Sequence, residues 1–202
     1  MYVEAPGNWR PALKAAAKAF AARHPLEMAD WSGAAYDPAG RCFELDYAGE
    51  KVQVSYPEAS FNLELSVSDR TIILLYLSGA RGLPLRNQWL TFMELPNGPH
   101  HRQPFENEAL RPLCASFGRE PHLLAAAAVR LGGSPLAMGD AAVRLLVLPR
   151  LPLAVVVWAG DEEFPARANI LFDASAPGFL DTAALYALGI NTALRLCRLK
   201  EL

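Results

Sequence analysis

Cysteine is scarce in this 202-residue chain, and Cys42, Cys114 and Cys197 are odd in number and widely separated. That excludes a disulfide framework and a Cys-x-x-Cys metal knuckle, and leaves reduced, packed thiols. Charge of one sign is also missing. Lys and Arg number 19 against 21 Asp and Glu, a formal charge of -2, so nothing in the balance would neutralise a nucleic-acid backbone or hold an anionic membrane surface. No apolar run reaches the roughly 18 residues of a membrane span. The start, Met1-Tyr2-Val3-Glu4-Ala5-Pro6-Gly7, lacks the basic patch and apolar stretch of a signal peptide, so the expected location is cytoplasmic.

What the chain has is apolar content. At 52% hydrophobic and 20% charged residues it can bury a substantial core, and one domain over residues 1–202 is the expectation. Trp9, Leu13, Ala16, Ala17 and Phe20 recur at helical spacing, with Asn8 as a cap and Pro25 as the stop. From Cys42 to Tyr56 the period changes to two, and Phe43, Leu45, Tyr47, Val52, Val54 and Tyr56 share one face of a hairpin turned at Ala48-Gly49. Phe61, Leu63, Leu65 and Val67 predict a third strand, followed by a helix capped by Ser68 and ending at Gly79.

Between Arg81 and Gln103 the Pro, Gly and Asn content predicts an ordered connection around a short extended piece, Gln88 to Phe92, with a solvent-facing tip at Pro96-Asn97-Gly98-Pro99. Phe105 to Phe117 reads as helix interrupted by Pro112, and Pro121 opens a second helix that stops at Gly132-Gly133. Val143–Leu148 and Leu153–Trp158 are apolar on both faces, as central strands are, and pair through the turn Pro149-Arg150-Leu151-Pro152. Asp181 caps a long terminal helix with Leu180 and Leu185 as a staple, while Arg195, Arg198 and Lys200 suit its dipole. Strand and helix runs come in blocks. The expected fold is α+β, a mainly antiparallel sheet of about five or six strands packed with about five helices.

No stretch carries a complete catalytic motif. Asp161, Glu162 and Glu163, with Asn169 and Asp173 on the following short strand, offer oxygen ligands suited to a hard divalent cation, or an acid and a base. The plainer alternative is a solvated turn, with Asp173 making a local turn with Ser175. His101, beside His100 and Arg102, is a possible further ligand or proton carrier, although adjacent residues of an extended segment point apart. Ser78 to Gly82 and Gly132 to Ser134 follow helices rather than open them, so they are C-caps and not phosphate loops. Cys114 beside Leu113 and Phe117 is a packed thiol, and no serine sits in a Gly-x-Ser-x-Gly turn. Trp89, Phe92 and Trp158 could wall an apolar pocket, with Arg150, Arg167 and Asn169 as polar partners for an anion or carboxylate.

Leu75-Tyr76-Leu77 with Gly79-Ala80 and Gly82, the segment Trp89 to Pro96, and the block from Gly139-Asp140 through Leu148-Pro149-Arg150 and Trp158 to Asn169–Pro177 together resemble one family. It is the prokaryotic Domain of Unknown Function 3786 family, found largely in anaerobes, and the similarity runs from about Leu63 onward. The resemblance implies no activity. Relatives joined to an iron–sulfur segment of the corrinoid type imply a place near anaerobic redox or one-carbon metabolism. Three dispersed cysteines cannot hold a four-cysteine cluster, so any cluster would belong to a partner.

The leading expectation is therefore a non-catalytic accessory or small-ligand-binding protein, with a small molecule or a redox protein as partner and no cofactor of its own. A divalent-metal-assisted hydrolase using Asp161, Glu163 and Asp173 is the second. An interaction domain that pairs through an exposed hairpin edge is the third.

Overall fold

The computed structural model describes residues 5–200, and the fold is α+β. Helix α1 (Arg10–Ala22) buries Ala16 and Phe20. The cap expected at Asn8 falls instead on Trp9, which makes no side-chain cap hydrogen bond; Asn8, one residue earlier, accepts only the Arg10 N–H at 3.4 Å. Pro25 opens a further helix as well as closing the first: α2 (Pro25–Ser32) carries Pro at its first position, where the missing N–H costs nothing. Strand β1 (Ala35–Asp37) is too short to leave a periodic signature and lies antiparallel to β2 (Cys42–Tyr47).

The hairpin of β2 and β3 (Glu50–Ser55) pairs Phe43 with Val54 and Leu45 with Val52, as the period-two pattern predicts. Its two-residue turn places Ala48 at φ 48° and Gly49 at φ 84°, the positive pair that matches the twist of the flanking strands. Phe61 makes only a single bridge to Val54, so the expected strand from Phe61 to Val67 does not form. Asn62 spends its side chain on the Gln53 N–H at 2.7 Å and its own N–H on Gln53 O at 3.2 Å, after which the chain turns inward. Helix α3 (Val67–Gly79) follows, capped by Ser66, whose hydroxyl accepts the Asp69 N–H at 3.1 Å. The cap is two residues earlier than expected because Ser68 is itself buried within the first turn.

The second sheet has the order β4-β8-β7-β6-β5 and is antiparallel throughout. Strand β4 (Trp89–Thr91) is the extended piece of the long connection, and the tip after it is two short 3-10 turns, Phe92–Glu94 and Gly98–His101. Helix α4 (Arg102–Phe105) runs through a π segment (Glu106–Leu110) into α5 (Arg111–Phe117). Pro112 explains the π segment. An α-helix would bring its ring against the carbonyl of Glu108, and the wider turn, in which the Arg111 N–H bonds to Glu106 O, relieves that clash without ending the helix.

Helix α6 (Leu123–Val129) and short β5 (Ser134–Leu136) lead to β6 (Ala141–Leu148), β7 (Leu151–Trp158) and β8 (Arg167–Asp173). Strand β7 is buried along all but its last residue, which fits its unbroken apolar sequence and its central place. Helix α7 (Thr182–Lys200) closes the fold, with Asp181 Oδ1 accepting the Ala184 N–H at 2.8 Å as its cap.

One continuous core joins both sheets and the helices, and the Ala48 N–H donates to Val147 O across the sheets at 3.0 Å. The other face of the five-stranded sheet has its own small cluster of Ala142, Ala154, Val156 and Leu171, flanked by Trp89, Leu136 and Met138. Among the described residues no helix is long and apolar enough to cross a membrane.

Candidate functional site

Tyr47 ends β2, Asp69 lies in the first turn of α3, and Asn191 and Arg195 stand one turn apart on α7. Spacing of four residues sets the last two on one helix face, and the fold brings all four together. Asp69 is only 2% exposed. Its Oδ1 accepts from the Tyr47 hydroxyl at 2.5 Å and from Asn191 Nδ2 at 2.8 Å, while its Oδ2 accepts from Arg195 Nη2 at 2.5 Å. Asn191 Nδ2 also donates to Ser68 Oγ at 3.0 Å, and Asn191 Oδ1 takes the Ala5 N–H at 2.7 Å. The Arg195 guanidinium lies 5.0 Å from the Tyr47 ring centroid, within range of a cation–π contact.

A carboxylate at the start of a helix is favoured by the helix dipole, and three side-chain donors satisfy the oxygens of this buried one. Burial, and then the negative charge of Asp69, push the Tyr47 hydroxyl far above the ordinary phenol range, partly offset by Arg195. Burial works against the Arg195 charge, but Tyr47 and Asp69 together hold it above its ordinary value. Both groups keep their neutral-pH form. One donor is left over: Arg195 Nη1 is buried and has no hydrogen-bond partner among the described residues.

This network forms part of the wall of a cavity of about 490 Å³. Ala48, Leu63, Leu65, Leu131 and Leu199 supply the apolar lining, and Glu50, Glu64 and Arg198 the remaining charges. Apolar surface beside a fixed polar cluster, in a concavity of this size, is a lining that small-molecule sites use.

The residues singled out from the sequence fall elsewhere. Trp158 and Arg167 do meet, as cross-strand partners on β7 and β8 that line an exposed depression with Ala159, Phe164 and Pro165. Asn169 pairs with Val156 further along the same strands. Trp89 is half-buried on β4, while Phe92 lies 2% exposed in the main core, its ring 4.2 Å from that of Phe105 and stacked on it. Arg150 is structural: its N–H donates to the Tyr76 hydroxyl at 2.9 Å and its Nη1 to Trp31 O at 3.3 Å.

Asp161 and Glu163 occupy an exposed turn in which Asp161 Oδ1 accepts the Glu163 and Phe164 N–H groups. Asp173 lies at the opposite end of β8, which alone spans roughly 20 Å, and is 2% exposed. Its carboxylate takes the N–H groups of Arg86, Asn87 and Ser175 and the Ser175 hydroxyl. His101 sits beside Tyr186, with ring centroids 5.9 Å apart. These four do not converge, and among the described residues no group of three or more His, Cys, Asp or Glu is arranged to hold a metal ion.

The model of a family described as a domain of unknown function, DUF3786, matches residues 24–195. The chain belongs to this family. Membership reaches further toward the N-terminus than the resemblance from about Leu63 onward, and takes in α2 and the first sheet. No curated protein and no solved structure matches the chain. In this DUF3786 domain Tyr47, Asp69, Asn191 and Arg195 all fall within the matched span, and Arg198 and Leu199 lie just beyond it.

Sequence reading missed this site because each member has a local excuse. Ser68 and Asp69 look like helix-start residues, and Arg195 looks like a cation placed for the helix dipole. The available signal was Asn191 and Arg195 at i and i+4 beside the stripe Leu188, Thr192 and Leu196. Polar residues repeating along a helix that is otherwise buried require partners.

Proposed function

We propose that the chain is a non-catalytic small-ligand-binding protein, and that its ligand occupies the cavity between the β2–β3 hairpin, the Leu63–Leu65 segment and the end of α7. The observation that carries this reading is the cavity's composition, apolar walls around a fixed polar cluster. Building such a cluster into a core is costly unless its groups are satisfied, and here all but one donor is. Tyr47 and Arg195 hold their protonation across neutral pH, which supports recognition rather than proton transfer.

Pairing through the hairpin edge has less support. The outer side of β3 is already engaged, by the Phe61 bridge and by the Ser60 and Asn62 hydrogen bonds to Ser55 and Gln53.

Native mass spectrometry of the full chain, purified gently from its source, tests the proposal alongside Leu63→Trp. Leu63 is 37% exposed at the cavity, so the indole fills space without entering the core. A small-molecule adduct kept by the wild type and lost from the variant is the expected result. An adduct that both retain, or a bare mass for both, would count against the cavity.

A further inference from the structure

We infer that the ligand of this cavity is an alkylammonium ion, a hydrocarbon body with one positive charge that Glu50 and Glu64 hold at the mouth. The inference rests on the cavity being a ligand site and adds the chemistry of the ligand. Within the lining, Arg195 is spent on Asp69 through Nη2, and its Nη1 is enclosed by protein and out of a ligand's reach. That pair cancels. Arg198 then stands against Glu50 and Glu64, which leaves one negative charge to be met. Neither glutamate enters an ion pair among the described residues.

The two glutamates sit where a cation can use them. Glu50 opens β3 directly opposite Tyr47, and Glu64 lies between two leucines of the wall. Both are exposed, so an ammonium beside them keeps part of its hydration and avoids the desolvation cost that a fully buried charge meets. Ala48, Leu63, Leu65, Leu131 and Leu199 offer only apolar side chains, and a hydrocarbon body laid on them gains by leaving water. A carboxylate or phosphate would meet net repulsion. A polyamine would have to lay its further charges on leucine, without a partner.

Titration of the full chain at neutral pH with octylamine, octanol, octanoate and octamethylenediamine, by calorimetry or ligand-observed NMR, decides the matter. Octylamine is expected to bind tightest, and its affinity should fall as salt is raised while that of octanol does not. Glu50→Gln combined with Glu64→Gln removes both charges at exposed positions, with a melting curve to confirm the fold, and should weaken octylamine about threefold to tenfold while leaving octanol unchanged. Leu63→Trp should weaken both. Octanol, octanoate or the diamine binding as tightly as octylamine, or octylamine held equally by the wild type and the double glutamine variant, would overturn the alkylammonium assignment and leave the cavity a ligand site. Octylamine held equally by the wild type and Leu63→Trp would put it elsewhere on the surface and overturn the inference. No binding of any probe would also overturn it, while the adduct measurement on purified protein judges the cavity separately.

Discussion

The Tyr76 hydroxyl joins two distant stretches of backbone: it donates to Ser32 O at 2.5 Å and accepts the Arg150 N–H at 2.9 Å. Ser32 ends α2, Tyr76 is in α3 and Arg150 is in the turn between β6 and β7, so one buried oxygen fixes a helix end, a helix and a sheet corner together. Burial raises the phenol well above its ordinary range, which keeps it a neutral donor and acceptor. Tyr76→Phe leaves a carbonyl and an N–H without this partner and should cost about 1–3 kcal/mol. Urea denaturation checks it. Tyr56→Phe is the comparison, since that hydroxyl donates to Arg23 O at 3.0 Å in a half-exposed setting and its loss should cost less.

The Asp69–Arg195 pair makes a separate prediction. Asp69→Ala leaves a largely buried guanidinium without its counter-ion and the Tyr47 hydroxyl without its acceptor, and a loss of about 3 kcal/mol is expected. The Arg195 side chain is 20% exposed, so part of its charge can be rehydrated, which sets the figure at the lower end for a broken buried pair. Asp69→Leu combined with Arg195→Met removes both charges and should recover part of that loss. Thermal melts of the single and double variants test this, and a double variant less stable than Asp69→Ala would show that the pair is not the unit of stability.

Gly98 gives a third test. A Cβ there would stand 2.0 Å from Phe92 O, a backbone atom that cannot move aside without breaking the 3-10 turn beneath the tip. Gly98→Ala should therefore destabilise by about 2 kcal/mol or more. The neighbouring Pro96 carbonyl accepts the Thr182 hydroxyl at 2.5 Å, so the damage should reach the start of α7 and appear as faster amide exchange there.

Elements with a strong period were legible in the sequence. The β2–β3 hairpin, the paired apolar strands β6 and β7, and α7 with its Asp181 cap all follow from spacing and flanking residues. The three-residue strands β1, β4 and β5 are too short for a period, and only their partners define them. Phe61 to Val67 alternates like a strand, yet the Asn62 side chain competes for the ladder at Gln53 and only a bridge results. The cavity was not legible for a different reason. Tyr47, Asp69 and Arg195 lie on three elements, with partners 22 and 126 positions apart in the chain, and local pattern carries no information on contacts of that range. Asp161 and Asp173, by contrast, drew attention through closeness in sequence, and an extended strand then carried them apart.

Acid stability should depend on Asp173. Burial alone would raise its pKa, but the Ser175 hydroxyl and the N–H groups of Arg86, Ser175 and Asn87 outweigh it and hold the carboxyl below its ordinary value. A depressed folded-state pKa contributes stability that is fully present above the unfolded value of about 3.9 and lost as pH falls through the lower, folded value. Asp173→Asn cannot ionise and supplies one acceptor oxygen where the native carboxylate supplies two. It should lower stability at neutral pH by freeing the Arg86–Asn87 backbone from the end of β8, and it should flatten the decline that sets in as pH falls below about 4. Asp161 is the control, because its carboxyl is also held low, by the Phe164 and Glu163 N–H groups, but is fully exposed. Urea midpoints measured from pH 7 to pH 3 for the wild type, Asp173→Asn and Asp161→Asn separate the two: an acid decline in Asp173→Asn as steep as in the wild type would mean that other carboxylates set the limit.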